Sequence, residues 1–243
     1  MKKIIPLIPS FNPTNSLIQY VKDLYKSGFL EILIVDDGSK DKKIFEDLKK
    51  LKYCTILTHQ INLGKGAALK TGFRYYIRNL KNKYDGIITL DDDSQHLIED
   101  TFKLMNFFDN NSLILGVRNF NLKIVPLKSK LGNKITSRMF RIFYKKYISD
   151  TQTGLRIYPN SLIKELCYLD GNKFNFETNV LIYCIKKHIN IIEITINTVY
   201  INKNKHSRFK PIKDSIKICK IFFKGRKKYN SWAKFVEICR IKW

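Results

Sequence analysis

Acidic residues are scarce in this chain relative to basic ones. Its 243 residues carry 45 Lys and Arg against 21 Asp and Glu, a formal net charge of +24. Such a surplus points to anionic partners: nucleic acid, acidic lipid headgroups or phosphorylated substrates. Abundant Lys, Ile and Asn also fit a biased base composition with no partner behind it. Cysteine is sparse, with five residues scattered at Cys54, Cys167, Cys184, Cys219 and Cys239. An odd number without paired spacing excludes a disulfide framework and a cysteine-ligated zinc site, and suits buried thiols in a reducing compartment. Long apolar runs are missing too. The longest uncharged run, residues 4–21, is broken by Pro6, Pro9 and Pro13 and made polar by Asn12, Asn15 and Gln19, so no transmembrane helix is expected. The start, MKKIIPLIPS, has too brief an apolar region for a signal peptide. The expected location is cytoplasmic, with peripheral contact at the cytoplasmic membrane face. No repeat or low-complexity linker divides the chain, and a length of 243 residues fits one large domain or a domain with an appendage.

What is present alternates. Short apolar runs at 4–8, 31–35, 54–58, 86–90 and 113–117 read as strands. Between them, residues 14–28, 41–51, 66–79 and 97–108 carry apolar positions at helical spacing. This order predicts an α/β fold, a doubly wound and mostly parallel sheet flanked by helices, with ligand loops at the carboxyl ends of its strands. Beyond Arg118 the pattern shifts to a basic helix at 127–148, a polar loop DTQTGLR at 150–156, a short segment at 157–169, a helix at 174–187 and a strand at 191–200. The divisions expected are 1–118, 119–210, and a basic amphipathic helical tail at 211–243. Residues 201–243 hold fourteen Lys and Arg against Asp214 and Glu237. Such a tail suits either an anionic membrane surface or packing against the domain.

The scarce acid is concentrated. Residues 87–96, IITLDDDSQH, place Asp91, Asp92 and Asp93 in a row, and no Lys or Arg occurs between Tyr84 and Phe102. Stacked carboxylates repel one another and are kept together mainly by a cation. Two carboxylates with substrate phosphates are the usual setting for Mg2+ or a similar ion. An acidic turn capping the following helix is the plainer alternative.

Residues 62–72, NLGKGAALKTG, lack the third glycine of a dinucleotide fingerprint, because Leu69 stands in its place. No Walker loop or EF-hand fits either. Taken alone, the loop brings a helix N-terminus against a phosphate or against a neighbouring segment.

The combination is more specific. PSFN at 9–12, VDDGS at 35–39, NLGKG at 62–66 and LDDDSQH at 90–96 follow four successive strands. This order resembles the family 2 glycosyltransferases of the dolichyl-phosphate mannose synthase and bactoprenol glucosyltransferase type, over roughly residues 3–215. The resemblance implies a GT-A fold over residues 1–210, with 1–118 the nucleotide-binding half and 119–210 the acceptor half, a UDP- or GDP-sugar donor and a divalent metal, Mg2+ or Mn2+. It also implies roles for particular residues. Pro9, Phe11 and Asn12 match the loop framing base and ribose, Asp36 and Asp37 the acidic pair at the nucleoside, and Lys65 the glycine-loop lysine. Asp91 and Asp93 match the metal acids, with Gln95 a further ligand. Asp92, counted with the donor-binding residues, fills a position that is usually small in those synthases. His96 reads as orienting its loop rather than as a ligand. Gly116-Val117-Arg118, Ser129–Asn133, Asp150–Arg156 and Ser207–Asp214 match weaker motifs of the second half.

Two acceptor classes follow. A polyprenyl phosphate brings an oxygen already ionised near neutral pH, so cations rather than a base are required, and Arg118, Lys130, Arg156 and Arg208 are the candidates. A saccharide or other hydroxyl acceptor requires a carboxylate base, for which Glu177 is placed best, though it reads equally well as a helix N-terminal acid. The catalytic set expected is therefore Asp93, Arg118, Lys130, Arg156 and Glu177. A basic nucleic-acid-binding module is the reading from another class. It leaves the acidic cluster unexplained and matches no known motif, so no nucleic acid is expected.

Overall fold

A computed structural model describes residues 2–197 of the chain. The expected tail at 211–243, Arg208, the 207–214 motif and the end of the expected 191–200 strand lie outside the described residues. Among those described, seven strands form one sheet in the order β3-β2-β1-β4-β6-β5-β7. The strands are β1 (Ile4–Ser10), β2 (Ile32–Asp36), β3 (Cys54–Thr58), β4 (Gly86–Thr89), β5 (Leu113–Arg118), β6 (Arg156–Pro159) and β7 (Ile191–Ile196). β1 pairs in parallel with both β2 and β4, with Leu7 opposite Leu33 on one side and Thr89 on the other. β3 extends that half in parallel, and β7 lies parallel to β5.

The exception is β6, antiparallel to both β4 and β5. Its four residues, RIYP, end at a proline and are too short to show a period, so the sequence reads only a featureless segment there. Because β6 sits between β4 and β5, the two halves anticipated from sequence share a single sheet.

Side chains alternate across the strands and so build a core on each face. Ile5, Leu7, Leu33, Val35 and Ile87 point to the face covered by α3 (Lys65–Asn79), α5 (Leu127–Tyr144), α6 (Asn160–Leu166) and α7 (Asn175–Lys186). Ile4, Ile8, Ile32, Ile34 and Ile88 point to the other, under α1 (Ser16–Lys26), α2 (Lys43–Lys49) and α4 (Ile98–Met105). Gly72 makes the α3 packing possible, since a Cβ there would meet the Leu7 side chain at 2.5 Å. Cys167 and Cys184 are buried and Cys54 partly so, all three as free thiols.

Successive connections leave β1 and β4 on opposite sides, so a crevice opens between their carboxyl ends, where open α/β sheets bind ligands. Ser10 ends one strand, and the three aspartates follow the other.

Candidate active site

Four loops meet at that crevice, and each is held by side chains from another. After β1 the backbone turns at Asn12, whose φ is +45°. Its N–H donates to the Ser39 hydroxyl at 2.8 Å, and its side-chain oxygen accepts the Lys40 N–H at 2.9 Å. Asp36 accepts the Ser39 N–H at 2.8 Å and the Lys42 ammonium at 2.6 Å. Asp37 accepts from the backbone of Leu63 at 2.9 Å and Gly64 at 2.7 Å. Both carboxylates are buried. In this structure the acidic pair bonds the chain's own loops. Pro9 is likewise a buried residue of β1, one place before the crevice. Phe11 and Asn12 are the members of that motif at the surface.

His59, which sequence reasoning passed over, completes the arrangement. Its Nδ1 lies 2.7 Å from Asp37 Oδ1 and its Nε2 lies 2.9 Å from the Thr71 hydroxyl. A carboxylate only accepts, so Nδ1 carries a proton and donates it to Asp37. The glycine loop is thereby fixed to α3. A lone histidine between a strand and a glycine loop was the only signal available.

The glycine loop itself resolves toward a neighbouring segment. Gly64, at φ +102°, has no room for a side chain because a Cβ would lie 2.9 Å from Lys173 Cγ. A Cβ on Gly66 would lie 2.5 Å from that of Phe176. The Ala67 N–H donates to Asn172 at 3.0 Å. These glycines let the start of α3 press against residues 171–176, and that contact aims Lys65.

Lys65 stands between two acids, 2.6 Å from Asp91 and 3.0 Å from Glu177. Asp91 also faces His96 Nε2 at 3.1 Å, while the His96 carbonyl is held by Tyr20 at 2.7 Å. Burial disfavours the charge of Asp91, but the Lys65 ammonium and His96 outweigh it and hold the carboxyl far below its usual range. Asp93 makes no ion pair among the described residues, and His96 offsets its surroundings only in part. Burial first, then the charge of Asp91, push its carboxyl upward. Crowded acid with an unmet need for positive charge is what a cation would relieve.

Asp92 faces the other way. Its Oδ2 accepts the Ser10 hydroxyl at 2.7 Å and the Phe11 N–H at 3.2 Å. It ties the acidic loop to the β1 loop across the crevice. Gln95 is partly exposed beside Asp93, which accepts the Gln95 N–H at 3.1 Å. Among the described residues no cluster of three or more His, Cys, Asp or Glu is arranged to hold a metal ion. What exists is a pair of hard carboxylates, which suits Mg2+ or Mn2+ when substrate oxygens complete the shell.

The second half closes the crevice. Arg118, at the end of β5, forks onto Asp150 through Nε at 2.7 Å and Nη2 at 3.1 Å. Asn133 and Thr136 of α5 hold Thr151, the latter by a 2.6 Å hydroxyl pair. The loop so fixed brings the Gly154 backbone against the Asp91 carboxylate. Lys130 is exposed on the first turn of α5.

Arg156 departs from expectation. It is fully buried, and its guanidinium donates to the carbonyls of Thr153 at 2.9 Å, Glu177 at 2.9 Å and Thr151 at 3.3 Å. A guanidinium committed in this way braces the loop against α7 and is not presented to an acceptor phosphate. Glu177 is the third residue of α7, buried and joined to Lys65. Of the two readings left open, the helix N-terminal acid describes its placement.

Comparison with known proteins agrees with this geometry. Residues 7–166 match the model of "Glycosyl transferase family 2". The chain is 30% identical over 224 residues to a UDP-N-acetylglucosamine–dolichyl-phosphate N-acetylglucosaminyltransferase of Methanococcus voltae, covering 82% of this chain and 86% of that one. It is 28% identical over 247 residues to the dolichyl-phosphate beta-glucosyltransferase of Saccharomyces cerevisiae, covering 88% and 71%. In fold it is similar to glucosyl-3-phosphoglycerate synthase from Mycobacterium tuberculosis, solved with Mn2+, UDP and phosphoglyceric acid. The TM-score is 0.62 at 13% identity, covering 99% of this chain and 80% of that one. The chain belongs to glycosyl transferase family 2.

Proposed function

We propose that this glycosyltransferase moves a sugar from a nucleotide-diphosphate sugar to a polyprenyl phosphate, with inversion at the anomeric carbon. The observation that carries the acceptor class is the state of Glu177. The best-placed carboxylate for a base is buried behind Lys65 and bound to it at 3.0 Å. A hydroxyl acceptor needs such a base free to take a proton. A phosphate acceptor does not, since its second pKa is about 6 and its oxygen is already a nucleophile at neutral pH. The Methanococcus and yeast relatives, named for dolichyl-phosphate acceptors, support the same reading. The former is also named for a UDP-sugar donor, which favours UDP over GDP here.

Asp91 and Asp93 are the carboxylates that would hold a divalent cation, with Gln95 beside them. When bound, Mg2+ or Mn2+ offsets the charge that develops on the departing diphosphate. Around it the chain's own residues position the reactants. Asp36, Asp37 and His59 set the loops at the nucleoside, and Phe11 and Asn12 face it. Lys65 lies beside Asp91, within reach of the diphosphate. On the acceptor side, exposed Lys130 supplies positive charge for the incoming phosphate. Arg118 adds to it from the edge of its fork with Asp150. Arg208 joins them as a proposal from sequence alone. A polyprenyl acceptor lies in a bilayer, so the chain works at a membrane surface. No helix of the described residues is long and apolar enough to cross one.

A donor screen tests this: UDP- and GDP-sugars with Mn2+ or Mg2+, offered polyprenyl phosphate. Transfer that requires metal and is lost in Asp93→Ala supports the site. Transfer that persists without metal, or in that variant, overturns it.

A further inference from the structure

Between Arg118 and Asp150 the chain contains no Asp or Glu. α5 occupies most of this stretch and buries Met139, Phe140 and Phe143 against the sheet. Its opposite face carries Lys130, Lys134, Arg138 and Arg141, spaced three or four apart and all exposed. None of the four enters an ion pair among the described residues. At the N-terminal end of this stripe, the loop before α5 and the first residue of the helix expose three aliphatic side chains. Leu122 is 43% exposed, Ile124 56% and Leu127 82%, while Val125 between them is buried and anchors the loop.

We infer that this face, the basic stripe of α5 with the Leu122–Ile124–Leu127 edge, seats on an anionic phospholipid bilayer. The inference deepens the reading above, since it says which side of the site the lipid acceptor approaches from. Charge decides against the other occupants. Residues 201–243 carry fourteen Lys and Arg against two acids, so the chain's own C-terminal segment repels this face. A second copy, also at +24, does the same. Nucleic acid has the right sign, but single strands are gripped by aromatic stacking, and the apolar edge here is aliphatic. Aliphatic side chains bordered by Lys and Arg are the composition of a surface that enters the headgroup layer.

The test is flotation of the full chain with vesicles of phosphatidylcholine alone, or mixed in equal parts with phosphatidylglycerol, alongside binding to a single-stranded RNA oligonucleotide. Two variants are compared: Lys134→Glu/Arg138→Glu/Arg141→Glu, and Leu122→Ser/Ile124→Ser/Leu127→Ser. All six positions are exposed, so both variants fold, and both transfer sugar to an acceptor dispersed in detergent as the parent does. The charge variant is expected to lose affinity for the mixed vesicles by on the order of a hundredfold. The loop variant is expected to weaken vesicle binding severalfold and leave RNA binding unchanged. Unchanged vesicle affinity in both variants overturns the inference. So does a loss in the charge variant that is equal for vesicles and RNA, with the loop variant inert, since that describes a general polyanion surface. If the parent makes no polyprenyl product but the variants lose vesicle binding as stated, the acceptor reading fails and the membrane face stands.

Discussion

Gly154 lies against the carboxylate of Asp91 so closely that a Cβ added to it would meet Oδ1 at 2.6 Å and Oδ2 closer still. The two residues come from opposite halves of the chain, and their contact fixes where the acidic loop ends and the acceptor loop begins. Gly154→Ala must therefore push Asp91 away from Lys65 or move the 150–156 loop. A displacement of about 1 Å at a reacting centre lowers turnover by on the order of a hundredfold. Steady-state kinetics should show that loss in kcat, together with a higher metal concentration for half-maximal rate. An unaltered metal requirement would mean that Asp91 is not held by this contact.

Asp92 and Asp93 are adjacent but tied to different things, so their alanine variants should separate. Asp92→Ala frees the Ser10 hydroxyl and the Phe11 N–H, which loosens the β1 loop. The expected outcome is a severalfold higher KM for the donor and a stability loss of about 1–2 kcal/mol in urea unfolding. Asp93→Ala should leave stability nearly unchanged, because burial and like charge already strain that carboxylate, and should abolish transfer.

Arg156 separates a bracing role from an acceptor role. Arg156→Met leaves three carbonyls without their donors in the interior, and should lower unfolding free energy by roughly 3 kcal/mol. A residue that held the acceptor phosphate would instead raise the acceptor KM at unchanged stability. Chemical denaturation paired with acceptor titration distinguishes the two.

Glu177→Gln keeps a polar group beside Lys65 but removes its charge. With a phosphate acceptor, turnover should fall by less than about tenfold, whereas loss of a general base typically lowers rate by on the order of a hundredfold to ten-thousandfold.

The pattern of this site in the sequence explains both what could be read there and what could not. Strand ends and their loops are local features, so β1 to β5 and the four motifs after the first four strands were legible from apolar runs followed by turn residues. Asp91 and Asp93 stood out because acid is rare in this chain. Partnerships across the fold were not legible. Nothing local pairs Arg118 with Asp150, 32 residues on, or turns the guanidinium of Arg156 inward onto carbonyls. An arginine in a polar loop reads as a phosphate ligand until its burial is known. β6 was hidden by its length, and the antiparallel pairing it introduces followed it out of sight. The glycine loop's two readings could be separated only by what lies opposite, residues 171–176.

The central claim is that the acceptor is a phosphate needing no base. Its most direct measurement compares a polyprenyl phosphate with the matching polyprenol and a free hexose, using one labelled UDP-sugar and Mn2+. The account predicts labelled lipid from the phosphate alone, lost when the metal is chelated. Equal or faster labelling of the alcohol or the hexose would contradict it.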